Sequence, residues 1–112
     1  MSNAEWLDIG KLEDIPKRGA RVVKTARGDI AIFRTMDDQI FALDDKCPHK
    51  GGPLSQGIVQ GDSVTCPLHN WVISLKTGEA QGADEGCART IAVRLQDGCI
   101  QLSWPGLAIK AA

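Results

Sequence analysis

Four side chains near the middle of the chain have chemistry that the rest does not. Cys47 and His49 lie in "CPHKGG", and Cys66 and His69 lie in "CPLHNW". These are the only 2 histidines of the 112 residues, and half of the 4 cysteines. Thiolate and imidazole are metal ligands before anything else. A nucleophile–base pair is the other use of such residues. Two similar pairs, at Cys-x-His and Cys-x-x-His spacing and each stiffened by a proline, do not look like one catalytic dyad. No third residue that would orient either histidine is evident. Unrelated surface histidines would not both fall beside cysteines.

Two metal centres compete for these ligands. Structural zinc takes a Cys₂His₂ set tetrahedrally, and its signature is two close cysteines followed by two close histidines. Here the order is Cys, His, Cys, His. A mixed [2Fe–2S] centre instead has two cysteines on one iron and two histidines on the other. Two loops that each give one thiolate and one imidazole can hold both irons from opposite sides. Ligand order and softness favour this cluster. The competing reading is a zinc-stabilised binding module without redox chemistry.

The elements that must position these loops are short strands. The dominant period is two, in short runs separated by turn residues: "RVVKTA" and "DIAIFRT", joined through Arg27-Gly28, and "QIFALD" after Met36-Asp37-Asp38. That pattern predicts a three-stranded meander. "GIVQGDSVTC" turns at Gly61-Asp62 and runs into Cys66, and "WVISLKTGEA" is a short strand followed by a turn at Thr77-Gly78. "TIAVRLQDGCIQLSW" predicts a hairpin over Asp97-Gly98, since Asp-Gly is a strong two-residue turn signal. Pairing across it sets Leu95 against Ile100, Val93 against Leu102 and Ile91 against Trp104 as one buried face. Cys99 then lies on the other face with Gln96 and Arg94. Only "LDIGKLEDIP" has helical character, ended by Pro16. Short strands at regular spacing predict an all-β sandwich or barrel. Cys47 follows the strand "IFAL" and Cys66 ends the strand "SVT". The segment 45–81 therefore reads as a pair of loops inserted in a β scaffold, which is where function usually sits.

Composition bounds the rest. With 43% hydrophobic and 24% charged residues, the chain fits one globular domain spanning 1–112. A net charge of −1 makes no electrostatic case for nucleic acid or an anionic membrane. Apolar runs such as "IAIF" are too short to span a bilayer, and the start lacks a basic-then-apolar signal. A cytoplasmic, reducing location is expected, where cysteines bind metal or stay free rather than pair. Cys87 and Cys99 are accordingly expected as free thiols, a disulfide between them being the disfavoured alternative.

With 16 residues between His49 and Cys66, "CPHKGGPL" and "CPLHNW" resemble the paired motifs of the Rieske family. The longer run "CPHKGGPLSQGIVQGDSVTCPLHNWVISLKTGEAQGADEG" is similar to the small subunits of NAD(P)H-dependent assimilatory nitrite reductases. So are the opening "WLDIGKLEDIP" and the closing "RTIAVRLQDGCIQL". The resemblance implies an antiparallel β-sandwich base carrying a small cluster-binding subdomain built from two loops. It implies Cys47 and Cys66 on the inner iron and His49 and His69 on the outer one. The Gly51-Gly52 backbone is free enough to aim N–H groups at cluster sulfides as an anion-binding nest, beside its plainer role as a tight turn before Pro53. Trp71 either shields the cluster edge or simply packs.

The implied partner is a large subunit with flavin, an iron–sulfur cluster and sirohaem that reduces nitrite to ammonium in nitrate assimilation. This chain would relay single electrons to it or serve as an accessory. A free-standing ferredoxin for a ring-hydroxylating dioxygenase is the alternative within the same family. High-potential members of the family bridge their two loops by a disulfide, at the positions occupied here by Gly52 and Leu68. They also place a Ser hydroxyl where this chain has Trp71, and a Tyr hydroxyl near the cluster, whereas this chain has 0 tyrosines. These departures predict a reduction potential low in the Rieske range.

Overall fold

An apolar run such as Ile30–Phe33 must be covered on both faces, and the fold supplies two cores to do so. The structure is a computed structural model of the chain, and the residues described are 6–25, 28–46, 53–67, 71–81, 86–88 and 90–103. β1 (Leu7–Lys11), β2 (Ala20–Thr25), β3 (Gly28–Arg34), β4 (Ile40–Asp44), β8 (Thr90–Gln96) and β9 (Cys99–Ser103) form a six-stranded sheet in the order β1-β9-β8-β4-β3-β2. Every neighbouring pair is antiparallel. β5 (Ile58–Gln60), β6 (Ser63–Thr65) and β7 (Val72–Ser74) form a separate three-stranded antiparallel sheet. Two 3-10 turns, Leu12–Asp14 and Leu54–Gln56, complete the elements, and no α-helix occurs among the described residues. The expected all-β class is what the chain adopts. Among the described residues no helix is long and apolar enough to cross a membrane.

The six-stranded sheet curls on itself. Ile9 of β1, Val23 of β2, Ile30 and Ile32 of β3, Ile91 of β8 and Ile100 of β9 share one core, so strands from both edges of the sheet meet inside it. The two edge strands are also linked directly, because the Arg21 guanidinium donates to the Ile9 carbonyl. Gly10 permits this approach: its φ is +140°, and a Cβ there would collide with the Arg21 guanidinium. The result is a nearly closed barrel with little exposed edge.

The opposite face of β3 builds the second core. Ala31 and Phe33 alternate away from Ile30 and Ile32, and join Leu43, Leu54, Val64, Cys66, Ile73 and Leu75 beneath the small sheet. Phe33 is fully buried there. Phe33→Ala is expected to cost about 3–5 kcal/mol by transfer loss and cavity formation. It would be read as a lower denaturation midpoint at unchanged slope.

The hairpin register is the expected one, with Leu95 opposite Ile100 and Val93 opposite Leu102. Asp97 and Gly98 both take positive φ, 53° and 78°, as this two-residue turn requires. Ile91 lies opposite Ala42 of β4, while Trp104 lies outside the described residues. One member of the expected buried face departs: Leu95 is 41% exposed. The β4–β8 pairing ends at Ile91, so the β8 edge is uncovered at Leu95, whereas Ile100 opposite it also pairs with β1 and is fully buried. Helical character in "LDIGKLEDIP" is confined to the single turn Leu12–Asp14. Leu7–Lys11 is a strand because β9 offers it a free edge, and that pairing outweighs a weak local preference.

Candidate metal centre

β6 and β7 of the small sheet flank the second motif in the chain, and β5 follows the first after the turn Leu54–Gln56. β6 leaves the Gly61-Asp62 turn and ends one residue before Cys66. Val64 points into the core, and Cys66, two residues further, falls on the same side by the strand period. Cys66 is only 1% exposed. Its N–H donates to the Trp71 carbonyl at 2.7 Å, and Trp71 leads directly into β7. Both ends of the second motif are thereby joined at its base. Trp71 is half-buried against the core that contains Cys66.

The first motif is anchored from the barrel. The Asp45 N–H donates to the Asp29 carbonyl at 3.0 Å, extending the β3–β4 pairing by one bond. The Asp45 carboxylate then accepts the Ser55 N–H at 2.7 Å and the Ser55 hydroxyl at 2.9 Å. Ser55 belongs to the turn Leu54–Gln56, whose Leu54 is fully buried in the same core as Cys66. That turn is pressed against β6. A Cβ at Gly57 would overlap the Thr65 carbonyl oxygen, so only glycine fits. The exit of the first motif and the entry to the second thus rest on one another.

Of the residues expected at the site, Cys66 and Trp71 are described and share one core. Cys47, His49, Gly51, Gly52, Leu68 and His69 lie outside the described residues. Cys87 and Cys99 are free thiols. Cys87 is exposed, with Sγ 3.6 Å from the Thr77 carbonyl, and Cys99 pairs with Gln96 on the other sheet. Asp45 and Ser55 are functional candidates that the sequence does not flag. Their only signal is position, just outside the two ends of "KCPHKGGPL".

A cavity of about 460 Å³, lined by Thr35, Met36, Asp37, Gln39, Gly61, Asp62 and Lys76, opens at the far end of β6 from Cys66. The Thr35 hydroxyl beside Asp37 holds that carboxyl below the usual carboxylate range, so it is ionised at neutral pH. Neither Cys66 nor Trp71 lines this cavity.

A curled antiparallel barrel, a separate three-stranded sheet, paired Cys/His motifs in the sequence and a family match together make this an iron–sulfur electron-transfer domain. The model of the Rieske [2Fe-2S] domain matches residues 5–94, and the chain belongs to that family. The anthranilate 1,2-dioxygenase ferredoxin subunit of Burkholderia cepacia is 31% identical over 101 residues, covering 89% of this chain and 93% of that subunit. A protein assigned as an NADH-dependent nitrite reductase small subunit from Mycobacterium tuberculosis has the same fold, with a TM-score of 0.82 at 20% identity over 92% of this chain and 97% of its own. A crystal structure assigned as a nitrite reductase (NADPH) small subunit superposes with a TM-score of 0.78 at 26% identity, covering 88% of this chain and 97% of that one. Other relatives are far larger: the chain spans 16% of a cholesterol 7-desaturase from Hemicentrotus pulcherrimus, 31% identical over 75 residues.

The cofactor of this family is the Rieske [2Fe–2S] cluster, and the chain fits it. The two motifs carry two cysteines and two histidines, the residue types that such a cluster takes. Of the residues expected to hold it, Cys66 is described, and its thiol is buried just past a strand end, away from water.

Proposed function

We propose that the chain is the small Rieske subunit of an NAD(P)H-dependent nitrite reductase, serving the reduction of nitrite to ammonium in the cytoplasm. The observation that carries this reading is the 26% identity with a nitrite reductase (NADPH) small subunit over 88% of this chain. The run "LHNWVISLKTGEAQGADEG" supports it by its similarity to that subfamily. In this reading the domain spans 1–112, with 45–81 as the cluster-binding subdomain. Cys47 and Cys66 hold the inner iron and His49 and His69 the outer one, with Gly51 and Gly52 giving N–H groups to the sulfides. When bound, the cluster takes up and releases one electron at a time. The chain's own task is to exclude water around the sulfur ligands, through Leu54, Cys66 and the half-buried Trp71, and to present the histidines to a large flavin and sirohaem subunit.

A second reading, a ferredoxin for a ring-hydroxylating dioxygenase, is favoured by the 31% identity to a dioxygenase ferredoxin along 93% of its length. Reconstitution separates the two. The holoprotein is mixed with a nitrite reductase large subunit or with a ring-hydroxylating oxygenase and its reductase, each from the source organism. Complex formation and faster NAD(P)H-dependent nitrite consumption with the first are expected. Support of oxygenase turnover together with no association with the large subunit would overturn the proposal in favour of the second reading.

A further inference from the structure

We propose that Asp45 is a positioning residue for the first ligand loop, acting through Ser55; this rests on the reading of Cys47 and His49 as cluster ligands. Asp45 stands two residues before Cys47, and its main chain is tied to the barrel through the Asp29 carbonyl at 3.0 Å. Its carboxylate is engaged by the Ser55 N–H at 2.7 Å and the Ser55 hydroxyl at 2.9 Å, ten residues along the chain. Ser55 in turn cannot drift, because Leu54 beside it is fully buried in the core that holds Cys66.

The segment between Asp45 and Ser55 therefore begins and ends at one carboxylate. A chain segment with joined ends samples fewer conformations than one with a free end, and ordering it on ligand binding costs correspondingly less entropy. Hydrogen bonds to an ionised acceptor are stronger than neutral ones, and two donors on one carboxylate also fix direction. Asp45 thus holds the loop in its ligand-binding register from outside the ligand set. It connects the base barrel, the first motif and the turn that abuts β6.

The test uses the full chain with its [2Fe–2S] cluster, as parent and as Asp45→Ala, Asp45→Asn, Ser55→Ala and Asp62→Ala variants. Asp62 pairs with Lys76 at 3.2 Å at the far end of β6 and serves as the control. Two quantities are read: the rate of cluster release to an iron chelator, followed by visible absorbance, and the EPR g-values of the reduced protein. Asp45→Ala is expected to speed release about tenfold and to shift the g-values, since both bonds are lost. Asp45→Asn keeps the shape and an acceptor oxygen for the Ser55 N–H, and should return release to within about threefold of the parent with parental g-values. Ser55→Ala should fall between these, and Asp62→Ala should match the parent.

Parental release and g-values in Asp45→Ala overturn the proposal, as does equal acceleration by Asp62→Ala. If Asp45→Ala does not fold, a parental release rate in Ser55→Ala overturns it instead. A parent chain that assembles no [2Fe–2S] cluster overturns the ligand reading, and this proposal with it. A loaded parent with an unaffected Asp45→Ala overturns this proposal alone.

Discussion

His69→Ala is expected to abolish the cluster, measured as iron and acid-labile sulfide per chain and as loss of the reduced-state EPR signal. In the proposed assignment this substitution leaves one iron with a single protein ligand, and two thiolates on the other iron do not compensate. The control is built into the molecule. Cys87→Ser and Cys99→Ser are expected to keep parental iron and sulfide. Cys99 lies in β9, opposite Gln96 on one side and Lys11 on the other, in the six-stranded sheet rather than the small one. Cys87 is exposed, opposite Glu79 in an isolated bridge. Loss of the cluster in Cys99→Ser would refute the ligand set. A colourless parent carrying stoichiometric zinc would favour the zinc-stabilised module instead.

The reduction potential is expected near the bottom of the Rieske range, toward about −150 mV rather than about +300 mV. Hydrogen-bond donors to cluster and ligand sulfur stabilise the reduced, more negative state and raise the potential. The resemblance places the donors of high-potential relatives at a Ser in position 71 and at a Tyr. This chain has Trp71 there, its body packed against the core, and 0 tyrosines. Gly52 and Leu68 likewise preclude the disulfide that braces the loops of those relatives. Protein-film voltammetry at neutral pH reads the value directly, and a clearly positive potential would contradict the reasoning. A low potential suits electrons drawn from NAD(P)H. Trp71→Ser would restore a hydroxyl at that position, and its direction of change, upward, is part of the same prediction.

Much of the molecule is legible in its residues alone. The interleaved order of Cys47, His49, Cys66 and His69 points to the [2Fe–2S] cluster of the family to which the chain belongs, because residue type and spacing are local properties of the chain. The Asp97-Gly98 hairpin is legible to the residue, since a two-residue turn sets the register of the strands that it joins. The strand over "DIAIFRT" is legible as part of a meander, while the division of Ile30–Phe33 between two cores is shown by the structure. Leu95 departs from its expected burial because alternation says which side of a strand a residue faces, not how far the opposing core extends.

Long-range pairing decided the remainder. Leu7–Lys11 has no strong local preference and became a strand only where β9 presented an edge. The two edge strands are linked where Arg21 reaches Ile9 past a residue without a Cβ, a contact no periodicity encodes. The Asp45–Ser55 clasp and the fit of Gly57 against Thr65 are of the same kind. By itself, then, the sequence determined the chemistry of the site and most of the strands, because these follow from residue type and short spacing. How the two motifs are anchored to one another was decided only by the tertiary structure, because packing around Leu54 and Cys66 sets which distant backbone and carboxylate groups meet.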